Sequence, residues 1–300
     1  MNIILTGLPL FAGRLCDELS SFDKKNKYYF YNTYYSRKDR FRFMLRLPFA
    51  DRVVSLNGVS DRSGSLDWVL RFRKKLVMLW QGTDVMLAVE RYKDNSILAK
   101  YINYATHYTD AAWLAEELSA IHIPAELLYF KSVVSNPHAE KFNEINAYSY
   151  IPKGRELFYG LDILLAVFKN LPDTKLYIYG TDGAGFEKTG NVFYKEWMPM
   201  VDYKREISNH AVYIRLSQHD GFSMSVLEAL ASGCEVIWNH PLKDCHYLQG
   251  NEKELTALIC EIKKTIINRD QFRNKDSANR IRERFGKEKV LQAFIDKITR

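Results

Sequence analysis

Residues 217–241, SQHDGFSMSVLEALASGCEVIWNHP, constrain the fold of this 300-residue chain more than any other stretch. One apolar run comes just before them (VYIRLS, 212–217) and another lies near their end (CEVIW, 234–238), and each is typical of a buried strand. A glycine turn at Asp220-Gly221 and a helical pattern ending at Gly233 separate the two runs. This order predicts an open parallel α/β sheet, in which ligands bind at the carboxyl ends of the strands.

Two carboxylates, Asp220 and Glu228, stand eight positions apart in this stretch. A carboxylate accepts hydrogen bonds from two sugar hydroxyls at once, and a helix N-terminus offers free N–H groups to a diphosphate. The alternative is an ordinary turn in which Ser223 caps the helix and Glu228 faces solvent. If the stretch binds a ligand, the residues expected to bind the donor are Gly221, Phe222, Ser223, Met224 and Ser225.

The stretch resembles the acid-x7-acid signature of the retaining glycosyltransferases of family 4, E-G-F-x-x-x-x-x-E, with Asp in place of the first Glu. The resemblance covers about residues 146–241. It implies the architecture called GT-B, in which two Rossmann-like doubly wound α/β domains face a cleft. It also implies that Asp220 holds hexose hydroxyls and that Glu228 holds the ribose of the nucleotide.

The segment SYIPKGRELFYG (149–160) is similar to the family's G-R-x-x-x-x-K-G, with one residue fewer between the Arg and the final Gly. Arg155 matches the family's Arg and can bind a diphosphate through two parallel N–H bonds. Tyr159 occupies the place of the family's Lys, and we expect Lys153 to replace that charge. The alternative for Arg155 is a surface charge near the start of a helix.

Three further strand ends supply candidate residues. Gly7 follows the first apolar run, and Gly180 begins the turn-rich YGTDGAG; both are expected near the donor, although a loop without a ligand remains the alternative for Gly180. Asp84 ends LVMLWQGTD, which resembles an H-x-G-x-D strand end of some family members. Asp84 is expected to orient the acceptor hydroxyl. The alternative is that Thr83 or Asp84 caps the next helix, and the two roles do not exclude each other.

The positive charge of the chain is concentrated at its front. The net charge is +7, and residues 1–80 hold fifteen basic and seven acidic residues. Residues 36–52 interleave basic and apolar side chains, so a helix there would place Arg40, Arg42 and Arg46 at the headgroups of an anionic membrane. The alternative is a surface helix that packs on its own domain. No nucleic-acid-binding motif is present, so nucleic acid is not an expected partner.

Alternating strand and helix patterns occur twice, on either side of a polar stretch. We therefore predict an N-terminal acceptor-side domain over 1–131, a linker over 132–146 and a nucleotide-sugar-binding domain over 147–300. The strands predicted for the first half are 3–5, 28–31, 53–56, 76–80, 111–113 and 125–130. Its helices are predicted at 13–22, 66–74, 96–104 and 115–121, and the tail at 252–268 and 276–298.

Cysteine and histidine spacing predicts neither disulfides nor a metal site. The four cysteines form no C-x-x-C pair, and His240 and His246 are better explained by a polar loop. The start MNIILTG is typical of a first strand rather than a signal peptide. These features favour a cytoplasmic protein, peripheral on the inner membrane face, that needs no metal or other cofactor beyond its nucleotide-sugar co-substrate.

The expected function is transfer of a hexose from a nucleotide diphosphate sugar, UDP-sugar first, to a hydroxyl of a lipid-linked or polysaccharide glycan. Asp220, Glu228, Arg155 and Asp84 are the candidate catalytic residues. A GT-B epimerase is one alternative, although the clustered carboxylates and histidines of such enzymes are missing. The other is a non-catalytic homologue that binds nucleotide or glycan at a membrane, which the departures at Asp220 and Tyr159 favour.

Overall fold

The computed structural model describes residues 1–134, 139–248 and 250–300. It forms two compact units, each built on a six-stranded parallel sheet with helices between the strands. The first unit comprises Met1–Ser132, His219–Phe222 and Lys287–Arg300, and the second comprises Val133–Gln218 and Ser223–Gly286. The predicted α/β class with two Rossmann-like domains is confirmed.

The sheet of the first unit has the order β2-β1-β3-β4-β5-β6, and all of its pairings are parallel. Its strands are β1 (Asn2–Gly7), β2 (Lys27–Phe30), β3 (Arg52–Leu56), β4 (Lys75–Trp80), β5 (Thr106–Thr109) and β6 (Glu126–Leu127). The chain leaves β1 toward β2 on one side and continues from β3 on the other. The switch point of this sheet therefore lies between β1 and β3.

Seven helices belong to the first unit: α1 (Pro9–Phe22), α2 (Arg37–Arg46), α3 (Gly64–Arg71), α4 (Thr83–Lys93), α5 (Ala99–Ile102), α6 (Ala112–Ala120) and α12 (Lys287–Ile298). Its core joins apolar side chains of β1, β3 and β4 to those of α1. Leu291, Phe294 and Ile298 of α12 complete this core. Residues near the end of the chain therefore stabilise its first domain.

The second sheet has the order β12-β11-β10-β7-β8-β9. Its strands are β7 (Ala147–Tyr150), β8 (Leu176–Tyr179), β9 (Val192–Lys195), β10 (Val212–Arg215), β11 (Glu235–Trp238) and β12 (His246–Tyr247), and its helices are α7 (Leu161–Lys169), α8 (Met200–Ile207), α9 (Met224–Ala231), α10 (Glu252–Asn268) and α11 (Lys275–Phe285). Counted within the unit, this is the 3-2-1-4-5-6 order of dinucleotide-binding sheets, with its switch point between β7 and β10.

Several of the chain's tyrosines lie in the core of the second unit. Tyr148, Tyr179 and Tyr213 are fully buried, and the ring of Tyr148 stacks on His210 with centroids 5.1 Å apart. The Tyr179 hydroxyl lies 2.6 Å from His210 Nε2, and Asn146 Oδ1 lies 2.8 Å from Nδ1. Burial lowers the pKa of His210 to about 4. These tyrosines and the neutral imidazole are therefore structural.

Several predicted elements differ from the observed ones, among them the strand predicted at 125–130, of which only Glu126–Leu127 is observed. The strand predicted at 111–113 is wrong, because α6 begins at Ala112. The strand of this region is β5, Thr106–Thr109, whose polar-looking THYT is buried from its second residue between β4 and β6. The helix predicted at 96–104 is only the short α5. The tail helix predicted at 276–298 is two helices that meet at Gly286.

The assignment of residues to units also differs in two places from the predicted ranges. Lys287–Arg300 and His219–Phe222, which the sequence assigned to the second domain, belong to the first unit. Of the predicted linker 132–146, residues 135–138 lie outside the described part of the chain. Among residues 1–134, 139–248 and 250–300, no helix combines the length and apolar character that a membrane span requires.

Candidate functional site

The sequence motifs of the second unit meet at the switch point of its sheet. The loop after β7 carries Lys153, Gly154 and Arg155, and the segment after β10 leads to the start of α9 at Ser223. Because β7 and β10 are parallel neighbours, both segments leave from the same edge of the sheet. This edge is where an open α/β sheet binds its ligand.

Two guanidinium groups contact Tyr159, the residue that stands where the resembling family has a lysine. Arg155 is exposed, and its guanidinium lies 4.2 Å from the centroid of the Phe158 ring and 5.9 Å from that of Tyr159. Arg215, the last residue of β10, is buried and lies 4.9 Å from the Tyr159 centroid. Sequence reasoning missed Arg215, although a cation that ends an apolar run is a recognisable signal.

Lys153, predicted to replace the family's lysine at the diphosphate, forms an exposed ion pair, and its role at a ligand stays a prediction. Its Nζ lies 2.6 Å from Asp182 Oδ2 in the loop after β8, so its charge is already paired. Gly180 is explained by the neighbouring chain rather than by a ligand: its φ is +98°, and a Cβ there would lie 2.8 Å from the Ile151 carbonyl oxygen.

Backbone N–H groups at the N-terminus of α9 are available to a ligand. Ser223 is the N-cap residue, yet its side chain makes no capping hydrogen bond to a backbone N–H of the helix. Its hydroxyl lies 3.0 Å from that of Ser225, which also pairs with the Tyr213 hydroxyl at 2.7 Å. No side chain in the described part of the chain accepts from the N–H groups of Met224 or Ser225. The start of α9 can therefore bind an anion.

Glu228 lies one turn further along α9, and its carboxylate is 3.5 Å from Lys204 Nζ of α8. Its partner in the motif, Asp220, lies in His219–Phe222, a segment of the first unit. The structure thus places Arg155, Ser223, Met224, Ser225 and Glu228 in the second unit. Gly7, Asp84, Asp220, Gly221 and Phe222 are in the first.

A buried ion pair of the first unit holds the segment His219–Phe222. Lys131 Nζ lies 2.6 Å from Asp110 Oδ2 and donates to the Phe222 carbonyl oxygen at 2.7 Å. The Phe222 N–H donates to Asp110 Oδ1 at 3.2 Å. The prediction that Phe222 offers a free N–H to the donor is therefore wrong, because Asp110 accepts from that group.

Burial raises the pKa of the Asp110 carboxyl to about 6, and the Lys131 ammonium and the Phe222 N–H oppose this rise only in part. Asp110 is fully buried, directly after β5, and Lys131 is 7% exposed. At neutral pH the carboxylate is ionised, which is the form that accepts from both partners. Sequence reasoning missed this pair because 21 residues separate its members.

The raised pKa predicts a pH-dependent contribution of Asp110 to stability. In the native state the carboxyl holds its proton up to about pH 6, whereas in the unfolded chain it releases it near 3.8. Its contribution is therefore complete below pH 3.8 and is lost as the pH rises through 6, by about 3 kcal/mol. Urea unfolding of wild type and Asp110→Asn is measured between pH 4 and 7.5. The free energy of unfolding of wild type minus that of Asp110→Asn should fall as the pH rises. A difference that grows with pH would contradict the assignment.

Glycines allow the segment His219–Phe222 to approach the end of β4. A Cβ on Gly221 would lie 1.8 Å from the Gln81 carbonyl oxygen, which no real side chain tolerates. Trp113 Nε1 donates to the Asp220 carbonyl oxygen at 2.7 Å, and His219 Nε2 lies 2.8 Å from Glu117 Oε2. The hydrogen bond to Glu117 raises the pKa of His219. The backbone of Asp220 is therefore fixed from several sides.

The Asp84 side chain binds backbone N–H groups of the first unit, and Gly7 allows two of its backbone segments to lie close together. The Asp84 carboxylate is buried and accepts from the N–H groups of Gly58, Gln81, Gly82 and Val85 at 2.6–3.2 Å. Burial raises its pKa while these donors oppose the rise. Gly7 has a φ of +104°, and a Cβ would lie 2.7 Å from the backbone of Leu56. The N-cap residue of α4 is Gly82, and Asp84, the second residue of the helix, binds backbone N–H groups at its start. The acceptor role of Asp84 stays a prediction.

The three arginines predicted to meet a membrane lie on α2 but differ in their surroundings. Arg40 and Arg42 are exposed, and Arg42 lies 3.8 Å from Asp39. Arg46 instead packs over the Tyr29 ring at 4.0 Å. Beside the exposed pair, Phe41 is 58% exposed, Leu45 56% and, just after the helix, Phe49 68%. This apolar stripe is not covered by its own domain.

Solved structures resemble the whole chain. TarM has 14% identity and a TM-score of 0.59 over 87% of this chain, which spans only 58% of TarM. The apo form of WaaB, a lipopolysaccharide outer core galactosyltransferase, has 16% identity and a TM-score of 0.63 over 100% of this chain and 99% of WaaB. The chain has the fold of GT-B glycosyltransferases.

A further match is HepE from Anabaena, solved in complex with UDP, with 12% identity and a TM-score of 0.66 over 99% of both chains. No protein-family model matches this chain, and no curated protein matches it in sequence. At these identities the likeness concerns the fold, and the function has to be argued from the residues.

Proposed function

We propose that the protein is a glycosyltransferase that moves a hexose from a nucleoside diphosphate sugar to a hydroxyl acceptor, with retention at the anomeric carbon. The observation that carries the proposal is the edge of the second sheet at its switch point. Arg155 and Arg215 both lie against the Tyr159 ring there, and the segment after β10 leads to the N-terminus of α9. Cations beside a helix N-terminus suit a diphosphate. The UDP bound to HepE, a protein of the same fold, makes UDP-sugar the first donor to test.

In this mechanism the second unit stabilises the leaving diphosphate. Negative charge grows on the diphosphate as the bond to the sugar breaks, and fixed donors lower the barrier most where charge develops. Arg155 is exposed and can reach a ligand, while Arg215 supplies from β10 the charge that Tyr159 does not provide. Met224 and Ser225 contribute backbone N–H groups. Glu228 accepts from the ribose hydroxyls, and Lys204 Nζ lies 3.5 Å from its carboxylate.

Asp220 would bind the hexose hydroxyls. Its backbone is fixed through Trp113, Gly221 and the Asp110–Lys131 pair, so the carboxylate is presented from a rigid segment. Following the resemblance, the leaving phosphate takes the proton of the acceptor hydroxyl, and neither a side-chain base nor a metal ion is required. The structure gives no role in proton transfer to Asp84, whose carboxylate is used by four N–H groups.

Nucleotide binding tests the proposal on the protein itself. A donor present at a hundred times its dissociation constant should stabilise wild type by about 2.7 kcal/mol. Thermal unfolding with UDP-, GDP- and ADP-sugars is expected to show this for one nucleotide, and Arg155→Ala and Glu228→Ala should abolish it. Lys169→Ala is the matched control, since it removes an exposed ion pair of the same unit. No shift with any nucleotide would contradict the proposal.

The acceptor is proposed to be a glycan or a lipid-linked glycan at an anionic membrane, which would make the protein peripheral on the cytoplasmic face. The apolar stripe Phe41, Leu45 and Phe49, with Arg40 and Arg42 beside it, suits a headgroup layer. Phe41→Ser/Leu45→Ser should lower cosedimentation with anionic vesicles at least about tenfold. Leu10→Ser, at a still more exposed site on α1, should leave cosedimentation unchanged. Equal sedimentation of all three proteins would contradict the membrane contact.

A further inference from the structure

A cavity of about 430 Å³ opens at the amino-terminal edge of the first sheet. Arg52, Lys75 and Thr106, the first residues of β3, β4 and β5, line it. Arg73, Lys297 and Arg300 add further positive charge, and no Asp or Glu is among its lining residues. We call the cavity formed around these five cations the basic pocket.

Arg52 is the unusual member of the basic pocket. It is 5% exposed, and its Nε is buried without a hydrogen-bond partner. In the described part of the chain no carboxylate or carbonyl accepts from its guanidinium. Burying a cation without a partner costs several kcal/mol, so proteins rarely keep one unless a ligand supplies the missing acceptor.

The other cations leave the positive charge largely uncompensated. Lys297 pairs with Glu126, whereas Arg73, Lys75 and Arg300 form no ion pair with any residue that the structure describes. Tyr108 lies in the same wall, with Lys297 Nζ 5.9 Å from its ring centroid. The cavity therefore offers several charged donors converging on a space larger than one water molecule.

We infer that the basic pocket binds a phosphate-bearing anion, with Arg52 as the buried anchor and Arg73 and Lys75 at the rim. The planar guanidinium fork matches the oxygens of a phosphate, and the acceptor that Arg52 lacks is what a phosphate provides. Asp84 and Asp110 come after the opposite ends of β4 and β5. Since β4 has six residues, about 20 Å separate the two edges. The basic pocket belongs to the first unit and shares no residue with the candidate donor site of the second unit.

Pyrophosphate is the probe for this site, and the Arg155→Ala background keeps the candidate donor site from contributing. Calorimetric titration should show binding to Arg155→Ala that becomes at least about tenfold weaker when Arg52→Gln, or Arg73→Gln with Lys75→Gln, is added. The latter pair is exposed, so its loss of binding does not depend on a core change. With Arg155 intact, the pocket variants should bind UDP with wild-type affinity. A loss of pyrophosphate binding alone then concerns the basic pocket and not the proposed donor site.

The phosphate could be carried by a soluble molecule or by a lipid headgroup, and a second arm separates these sources. Vesicles with phosphatidic acid are tested in the Phe41→Ser/Leu45→Ser background, so that α2 does not contribute. Pyrophosphate binding that depends on Arg52 identifies a soluble ligand, and vesicle binding alone that depends on Arg52 identifies a headgroup. If neither probe binds, or if binding persists in both pocket variants, the inference is overturned.

Arg52→Met distinguishes a ligand anchor from a structural arginine. Without anion, urea unfolding of this variant should show no loss of stability, because an unpartnered buried cation is replaced by an apolar chain of similar length. A large loss would show that Arg52 supports the fold rather than a ligand, and would overturn its assignment as the anchor.

Discussion

Replacing Lys131 by methionine is expected to lower the free energy of unfolding by about 3–5 kcal/mol. Lys131 and Asp110 are almost completely buried, and their charged atoms lie 2.6 Å apart. Methionine fills a similar volume but leaves the Asp110 carboxylate uncompensated. The Phe222 carbonyl also loses its donor at 2.7 Å, so the segment that carries Asp220 loses one of the hydrogen bonds that fix it.

Urea unfolding at pH 7.5 measures this effect, and a double variant tests its cause. Asp110→Asn/Lys131→Met removes both charges and should be more stable than Lys131→Met, because no buried charge is left alone. Lys169→Met serves as control: its pair with Glu187 is exposed, and its loss should change stability by less than about 0.5 kcal/mol. A loss in Lys131→Met no larger than in this control would show that the pair does not support the fold.

Gly221→Ala is expected to reduce activity about a hundredfold and to destabilise the first unit by about 2 kcal/mol. The added Cβ would lie 1.8 Å from the Gln81 carbonyl oxygen, so one of the two backbones has to move. Gln81 is held by its N–H bonds to the buried Asp84 carboxylate. We therefore expect the segment with Asp220 to be displaced.

Gly190→Ala provides the comparison for this substitution. A Cβ at Gly190 meets no atom within 4 Å, and the same methyl group should change stability by less than about 0.5 kcal/mol. Activity and urea midpoints of the two variants are measured side by side. A loss in Gly221→Ala alone comes from the contact with Gln81 and not from replacing a glycine in general. Wild-type activity in Gly221→Ala would show that the approach to Gln81 is not required.

The sequence predicted the second unit better than the first. Local patterns define the edge that carries Arg155 and the N-terminus of α9, since each motif lies within one strand–loop–helix segment. Arg215 was missed although it lies in the same motif, because its role depends on Tyr159, 56 positions away in sequence. A cation that ends an apolar run marks Arg215 in the sequence, but its contact with Tyr159 is known only from the structure.

What holds the first unit together depends on contacts between distant residues. Asp110 and Phe222 are 112 positions apart, and no spacing rule connects them. The sequence did not predict β5 because THYT lacks the apolar pattern of a buried strand. Its burial comes from pairing between β4 and β6. α12 is visible as an amphipathic helix, but the sequence does not say which sheet its apolar face covers.

Turnover of the donor tests most directly whether the protein is a glycosyltransferase. Purified protein is incubated with each nucleotide sugar, with and without membrane extract as acceptor source, and the released nucleoside diphosphate is quantified. The account predicts release from one donor, faster with acceptor and lost in Arg155→Ala. A nucleotide sugar that binds tightly but is not consumed under either condition would contradict the transferase assignment and favour a binding module.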